Sequence, residues 1–350
     1  MKRNYGIDLL RIISMFFVAA LHIIGIGGII TGSALLSPQF LTAQLLRICM
    51  LCAVNCYALI SGFVGWERRP KWSSLALLWL KALLFCVCIT VFFAGRHALD
   101  FRTAVSALIP VTTSQYWYLT AYAGLFVLLP ILNGAVRNMP KQELKITLFG
   151  IFLLFSILPI SPLTDAFQLH DGYSVLWLAA LYLLGGYWGK YGTLARLSRR
   201  AWLGIFALCI LLAWAPRMAV LWLRPHYWYD AYGNILIEYT SPTIVLAAAA
   251  LLAVFSRTEP GQRARGIIAR LAPHAFGVYL FHAHPLMFRY ALENRFAHLG
   301  TGSIGTMIAT VFGAAAAICA AGFALDWLVS AGLKATGLRR LLEKLDRFTE

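Results

Sequence analysis

The sequence has 350 residues, of which 60% are hydrophobic, and its mean hydropathy is +0.73. This composition excludes a soluble globular domain and indicates a chain whose apolar runs of about 20 residues cross a lipid bilayer. The formal net charge is +16, which by itself would suit a nucleic-acid-binding protein. Most of the Lys and Arg residues, however, flank the apolar runs, where a membrane sorts positive charge to one side. We therefore expect a membrane protein with no nucleic-acid partner.

The apolar runs predict an all-α polytopic integral membrane protein with about ten transmembrane helices, both termini being cytoplasmic. The predicted spans are residues 5–29, 41–66, 74–95, 115–136, 144–163, 173–190, 201–223, 235–256, 271–291 and 303–330. In this orientation 22 of the 30 Lys and Arg residues lie at inner ends and five at outer ends. The sequence therefore predicts a transmembrane domain over residues 1–335 and a basic cytoplasmic tail over residues 336–350.

Neither disulfides nor a metal site is expected. All seven cysteines fall within the predicted spans, where buried thiols behave as small apolar residues. The histidines are scattered along the chain, and the spacing typical of zinc ligands does not recur.

The first predicted span carries three ionisable side chains, Asp8, Arg11 and His22. At about 100° per residue the three lie on nearly one side of a helix, with Arg11 and His22 roughly 16 Å apart along its axis. Charged groups within a span normally face protein or water. Spacing alone fits two interpretations equally well. In the first, the three residues form a functional site. In the second, Asp8 and Arg11 are a solvated cap and a membrane-surface anchor, and His22 is a packing histidine.

Polar residues interrupt most of the other predicted spans. They are Asn55, Ser61, Lys81, Gln115, Glu238, Tyr279, His282 and Asp326. So many polar positions indicate a hydrated interior, which suits either transport or catalysis. The predicted outer segment 224–234 mixes aromatic rings with hydrogen-bonding groups, a pattern that fits sugar binding or an interfacial aromatic belt.

The ordered set of these motifs resembles the membrane acyltransferase-3 family over nearly the whole chain. Asp8-x-x-Arg11, followed by ten residues and His22, resembles the opening signature of the family. The other matching segments keep the order of the family and are residues 54–62, 116–122, 130–133, 172–174, 181–186, 239–242 and 276–282. The resemblance is closest to the single-domain branch that acylates cell-surface polysaccharides.

The chain departs from the family pattern at the start of the third span. Many members carry a pair of arginines there, whereas this chain has Arg68, Arg69 and Lys71 in the preceding loop and Lys81 within the span. The resemblance therefore leaves open which of these residues holds the acyl donor.

The resemblance implies a multi-pass O-acyltransferase of the bacterial inner (plasma) membrane. Such an enzyme moves an acetyl or similar small acyl group from cytoplasmic acyl-CoA, with acetyl-CoA as co-substrate, to a hydroxyl of an extracytoplasmic or lipid-linked polysaccharide such as an exopolysaccharide. The implied partners are acyl-CoA, the glycan acceptor and the lipid bilayer. The alternative is a transporter or flippase for a glycan or its lipid carrier, although we find no convincing inverted repeat.

The family interpretation gives His22 the role of general base or covalent acyl carrier. Arg11, oriented by Asp8, is then the candidate ligand of the donor phosphates, and Lys81 is a second candidate on the donor side. The candidate substrate-binding residues are Ser61, Trp117, Tyr118, Glu238, Tyr279 and His282.

Each substrate-binding candidate also has a structural interpretation. Ser61 and Gly62 would let two helices approach closely, and Trp117 and Tyr118 would be interfacial aromatics. Glu238 would form a salt bridge to Arg47 or Arg217, and His282 would be a hydrogen-bonded packing histidine.

Overall fold

The computed structural model describes residues 3–160, 165–223, 236–344 and 346 of the chain. Within these ranges the chain is mostly helical and forms no strand, which confirms the all-α expectation. The helices, in chain order, are α1 (Tyr5–Ile24), α2 (Ile29–Gly32), α3 (Pro38–Gly65), α4 (Trp72–Ala94), α5 (Phe101–Leu108), α6 (Trp117–Asn138), α7 (Lys141–Phe152), α8 (Val175–Tyr191), α9 (Arg199–Leu223), α10 (Pro242–Phe255), α11 (Gln262–Leu271), α12 (Ala275–His282), α13 (Pro285–Met287), α14 (Ile304–Ala335) and α15 (Leu338–Glu343).

Six helical segments in the described ranges are long and apolar enough to cross a membrane. They are Tyr5–Gly32, Pro38–Gly65, Trp72–Ala94, Trp117–Asn138, Arg199–Leu223 and Ile304–Ala335. A multi-pass membrane protein is therefore confirmed, whereas the predicted number of about ten spans is not. The other four predicted spans are shorter helices or broken ones.

Proline accounts for two of the shortened spans. The helix predicted over residues 235–256 begins only at Pro242, which occupies the first helical turn. The helix predicted over residues 271–291 ends at His282, because Pro285 lacks an N–H group and restricts His284 to extended backbone. A hydropathy window averages across such breaks and therefore does not detect them.

The remaining two predicted spans differ less from the structure. In the run predicted over residues 144–163, α7 ends at Phe152 and continues as a π-helical turn, Leu153–Ile157, while residues 161–164 lie outside the described ranges. In the run predicted over residues 173–190, α8 has 17 residues, from Val175 to Tyr191.

Two glycines allow α3 and α8 to pack with their backbones in contact. A Cβ atom added to Gly62 would collide with the carbonyl oxygen of Tyr182, and one added to Gly185 would collide with that of Leu59. Small residues at a membrane helix interface permit this approach. Because α3 also packs against α1 and α10, the α3–α8 contact fixes the position of the helix at the centre of the bundle.

The segment that follows the break at Pro285 folds back over the end of α1. The Asn294 N–H donates to the Ile26 carbonyl at 3.0 Å, and the Phe296 N–H donates to the Gly27 carbonyl at 2.8 Å. These bonds join the chain just beyond α1 to the segment that follows α13, so they keep the end of α1 next to the chain that leaves α12.

The tail turns back onto the start of α4. Gly337 has a φ of +73°, which ends α14 and begins α15. The Asp346 carboxylate accepts hydrogen bonds from the Ser73 N–H at 2.9 Å and the Ser73 hydroxyl at 2.6 Å. The boundary of the predicted tail at residue 336 follows the last residue of α14 and stays a prediction as a domain boundary.

Replacing Gly62 with alanine tests the α3–α8 contact. We expect Gly62→Ala to destabilise the protein by about 1–3 kcal/mol, since the added methyl group overpacks a backbone contact. Gly204→Ala in α9 is the matched control, because no atom lies within 4 Å of its added Cβ. The thermal unfolding midpoint in detergent measures both, and equal midpoints for the two variants would contradict the expectation.

Candidate active site

The bundle contains a cavity, here called the central cavity, with a volume of about 520 Å³. Five of the sequence-predicted site residues line it, namely His22, Trp117, Tyr118, Glu238 and Tyr279. They come from α1, α6, α12 and the loop that precedes α10. The cavity volume falls within the roughly 300–1,000 Å³ that small-molecule sites occupy.

His22 and His282 form a hydrogen-bonded pair beside this cavity. Nδ1 of His22 lies 3.0 Å from Nε2 of His282, and Nδ1 of His282 lies 2.6 Å from the Val278 carbonyl oxygen. A carbonyl oxygen only accepts, so Nδ1 of His282 carries a proton and donates it. In a neutral ring Nε2 of His282 is then the acceptor, and Nδ1 of His22 donates to it.

The pair leaves Nε2 of His22 with a lone pair. His22 lines the central cavity, whereas His282 is fully buried. Nε2 of His22 is therefore the nitrogen available to a ligand, either as a base or as a nucleophile. His282 holds the ring in this tautomer, as an orienting group does for a catalytic histidine in other enzymes.

Three rings form a surface that we call the aromatic wall, made of Trp117, Tyr173 and Tyr239. The Trp117 ring lies 4.3 Å from that of Tyr173 and 6.1 Å, nearly parallel, from that of Tyr239. All three line the central cavity. Flat aromatic faces with hydroxyl groups at their edges suit the apolar face and the hydroxyls of a sugar ring.

A buried amide holds part of this wall in place. The Asn55 side chain of α3 donates from Nδ2 to the Tyr239 carbonyl at 2.7 Å and accepts from the Trp177 Nε1–H at 3.2 Å. Asn55 thus joins α3, α8 and the loop before α10 at the level of the cavity.

The start of α6 is fixed to α12 through tyrosines. The Tyr116 hydroxyl donates to the Leu280 carbonyl at 2.6 Å, and the Tyr118 N–H donates to the Tyr279 hydroxyl oxygen at 3.3 Å. Because the oxygen of Tyr279 accepts, its own proton remains available to donate. Among the described residues no side chain or backbone carbonyl takes that proton, and Tyr279 lines the cavity.

Glu238 and Asp171 interact across the edge of the cavity. Burial, followed by the charge of Asp171 and a hydrogen bond with it, raises the pKa of Glu238 to about 7. The ion pairs found within the described ranges do not join Glu238 to Arg47 or Arg217, so the salt-bridge alternative is not seen. Glu238 therefore exchanges a proton near neutral pH instead of compensating a fixed cation.

Asp8 and Arg11 lie apart from the central cavity, at the start of α1. The Asp8 carboxylate is buried and binds Arg11 Nη1 and Arg3 Nε, each at 2.7 Å. Tyr57 connects this pair to the cavity, because its hydroxyl donates to the Arg11 carbonyl at 2.7 Å and its ring lines the cavity. The predicted stripe of α1 is therefore divided between two places.

Ser61 and Lys81 are engaged by other parts of the protein. The Ser61 hydroxyl donates to the Tyr57 carbonyl one turn back at 2.8 Å. The Lys81 ammonium binds both oxygens of Asp326, at 3.0 Å and 2.8 Å, and His274 Nδ1 lies 2.6 Å from one of them. Neither residue lines the central cavity, and their predicted substrate and donor roles remain untested predictions.

Among the charged and tyrosine residues that line the central cavity, sequence reasoning gave no site role to five, which are Arg47, Tyr57, Asp171, Tyr173 and Tyr239. Four of them lie in or beside segments that carried the family motifs, so position in a motif was the available signal. For Arg47 the only available signal was that basic residues are rare within a membrane span. The predicted sugar-binding segment 224–234 lies outside the described residues.

A membrane-embedded helix bundle whose cavity presents an oriented histidine can accommodate group-transfer chemistry. The sequence matches the family model Acyl_transf_3, described as an acyltransferase domain, over residues 4–326, and the chain belongs to this family. It is thus a membrane acyltransferase. Searches of curated proteins and of solved structures found no match. The family resemblance is confirmed, and the surface-polysaccharide branch stays a prediction.

Breaking the Lys81–Asp326 pair should destabilise the protein. Asp326→Ala removes a buried carboxylate and leaves two half-buried partners, Lys81 and His274, without their anion; removing one member of a buried pair costs about 3–5 kcal/mol. The double variant Lys81→Met/Asp326→Leu should recover most of this loss, because it removes both charges. Thermal unfolding in detergent measures the difference.

The same double variant tests whether Lys81 binds the donor. For acyl-CoA, the donor predicted from the sequence, we expect the double variant to retain the wild-type KM, since the Lys81 ammonium is already bound to Asp326. A stable double variant whose KM for acyl-CoA rises at least about tenfold would instead make Lys81 a donor ligand, as a lost charged hydrogen bond has that effect.

Proposed function

We propose that this protein is an O-acyltransferase that moves an acetyl or similar small acyl group from acyl-CoA to a sugar hydroxyl. The donor is cytoplasmic, and the acceptor is an extracytoplasmic or lipid-linked polysaccharide of a bacterial cell. The observation that carries the proposal is the lone pair on Nε2 of His22, which the His282 hydrogen bond leaves available in a cavity with an aromatic wall.

In the proposed reaction one residue acts first as a general base and then as a general acid. Nε2 of His22 takes the proton of the sugar hydroxyl while the hydroxyl oxygen attacks the thioester carbonyl carbon. The carbon–sulfur bond then breaks, and the CoA thiolate leaves with the proton that His22 holds. The same lone pair also suits a covalent route, in which Nε2 attacks the thioester carbonyl carbon and the carbon–sulfur bond breaks to release the CoA thiolate. The sugar oxygen then attacks the acyl carbon, the carbon–Nε2 bond breaks, and the hydroxyl proton passes to the CoA thiolate.

Tyr279 is the proposed donor to the developing oxyanion. Its hydroxyl oxygen accepts from the Tyr118 N–H, which orients its own proton away from that bond. A fixed donor that meets negative charge formed in the transition state lowers the barrier without reorganisation. This gives Tyr279 a catalytic role in the proposal and Tyr118 a role in positioning it.

Trp117, Tyr173, Tyr239 and Glu238 form the proposed acceptor subsite. The aromatic wall provides stacking surfaces, and the Glu238 and Asp171 carboxyl groups supply oxygen atoms for hydrogen bonds to sugar hydroxyls. The small group transferred requires little space beside the sugar, which agrees with a cavity of about 520 Å³.

The donor is proposed to enter from the end of the bundle that carries Arg11. A second cavity, here called the basic cavity, has a volume of about 910 Å³ and lies at the start of α4. Its lining includes four cations, Arg69, Lys71, Arg137 and Arg339. The end of α3 contacts the start of α1 through Tyr57, and a short loop joins α3 to α4, so Arg11 and the basic cavity lie toward the same end.

Both features suit the phosphates of CoA, since guanidinium groups bind phosphate with a planar fork of donors. We propose that this end faces the cytoplasm, as the distribution of Lys and Arg predicts. The acyl group then travels along α1, roughly 16 Å from the level of Arg11 to that of His22.

Replacing His22 tests the reaction directly. We expect His22→Ala to lower the transfer of label from radiolabelled acetyl-CoA into the glycan fraction of membranes by at least about 100-fold, the lower range for general base catalysis. The variant should keep the thermal midpoint of the wild-type protein in detergent. Label transfer at the wild-type level would remove His22 from the mechanism.

Two variants of His282 separate orientation from packing. His282→Leu should lower kcat with little change in the KM for the acceptor, whereas His282→Gln should recover part of kcat because its amide oxygen can accept from Nδ1 of His22.

Glycan movement across the membrane without CoA release, in wild-type protein, would favour the transporter alternative.

Arg11→Ala should raise the KM for acetyl-CoA about tenfold to 100-fold, the effect of losing a hydrogen bond to a charged group. Arg11→Lys should recover it in part, because an ammonium replaces the charge but not the fork. Arg3→Ala is the matched control, since Arg3 binds the other oxygen of Asp8. Equal KM changes for Arg3→Ala and Arg11→Ala, measured by CoA release, would contradict a specific donor role.

A further inference from the structure

Arg47 is a cation in the central cavity that the proposed reaction does not use. It belongs to α3, is half-buried and lines the cavity together with His22 and the aromatic wall. Within the described ranges its guanidinium makes no hydrogen bond and no ion pair. An arginine stays protonated at all relevant pH values, and a charge withdrawn from water is costly unless an anion compensates it.

The nearest acidic residues of the cavity do not supply that anion. Asp171 and Glu238 interact with each other, and within the described ranges neither forms an ion pair with Arg47. A second cation, Arg217 of α9, lies close enough to Arg47 for the two positive charges to repel each other. Because neither carboxylate forms an ion pair with Arg47 within the described ranges, a bound anion is favoured at that point.

The position of Arg47 relates this anion to the acceptor. Arg47 lies near enough to the hydroxyls of Tyr173 and Tyr239 to interact with them electrostatically. Those two tyrosines belong to the aromatic wall, so a sugar ring stacked on the wall has the guanidinium at its edge. Lys81 shows the contrast within the same bundle, because a buried aspartate already occupies its ammonium.

We propose that Arg47 binds a carboxylate of the acceptor, so that the enzyme selects an acidic sugar over its neutral counterpart. The inference rests on the proposed function in taking the ligand of the cavity to be a sugar. The planar guanidinium fork matches a carboxylate, which brings one negative charge. A phosphate brings up to two negative charges, and the Asp171–Glu238 pair across the cavity would repel the second charge.

A matched pair of glycans tests the proposal through binding affinities, without a measurement of acyl transfer. The probes are the β-1,4-linked glucuronate trisaccharide and cellotriose, which share one backbone and differ in the carboxylates. Titration calorimetry on the purified protein in detergent measures both affinities. We expect the acidic trisaccharide to bind wild-type protein at least about tenfold more tightly, and Arg47→Gln to abolish that preference.

Two further variants control for charge and for folding. Arg47→Lys should retain part of the preference, because it keeps the charge without the fork. Arg102→Gln removes one positive charge from the exposed part of α5 and should leave the preference unchanged. The proposal is overturned if wild-type protein does not prefer the acidic trisaccharide, or if Arg47→Gln and Arg102→Gln reduce the preference equally.

Acyl transfer is measured in parallel to separate the two proposals. If the Arg47-dependent preference holds but neither trisaccharide accepts label from acetyl-CoA, the acidic ligand stands and the proposed reaction fails with these acceptors. If the neutral trisaccharide is bound and acylated as well as the acidic one, the reaction stands and the role of Arg47 is wrong.

Discussion

The hydrogen bond between His22 and His282 fixes which nitrogen of His22 is available in the cavity. That bond requires α12 to end at His282 and the ends of α1 and α12 to remain together. Pro285 ends the helical run after α12, and backbone bonds beyond both helices join them. The tautomer of His22 is therefore maintained by backbone geometry some distance from the ring, and His282 connects that ring to the fold.

The sequence predicted the first helix and its polar face well, because a strong helical period and a short motif are local properties. The same reasoning placed Arg11 and His22 in one continuous stripe, whereas Tyr57 separates them in the structure. Asp171 and Glu238 meet only because loops before α8 and α10 converge, and such contacts leave no periodic signal. The break at Pro285 was readable in principle, since proline ends helices, but hydropathy alone obscured it.

The buried and half-buried cations of the bundle differ in how far carboxylates of the protein compensate their charge. This difference distinguishes cations with a structural role from candidates for ligand binding. Lys81 is bound by Asp326 and His274, so its charge is compensated within the protein. Arg11 shares Asp8 with Arg3 and keeps about a third of its side chain exposed, which leaves donors for a ligand. Arg47 has no ion pair within the described ranges. Ionisable groups in unusual electrostatic surroundings cluster at functional sites, which is the basis for the ligand proposed at Arg47.

Tyr57 lies between the central cavity and the start of α1, and its hydroxyl is tied to the backbone of Arg11. A continuous watery path across the bundle would let protons and ions run down their electrochemical gradient, at about 2.3 kcal/mol per charge for each 100 mV. The Tyr57 phenol ring places low-dielectric material between these two polar regions. In the proposed reaction, polar chemistry at membrane depth is therefore compatible with the membrane potential, provided that the part of the donor passing Tyr57 is its uncharged thioester end.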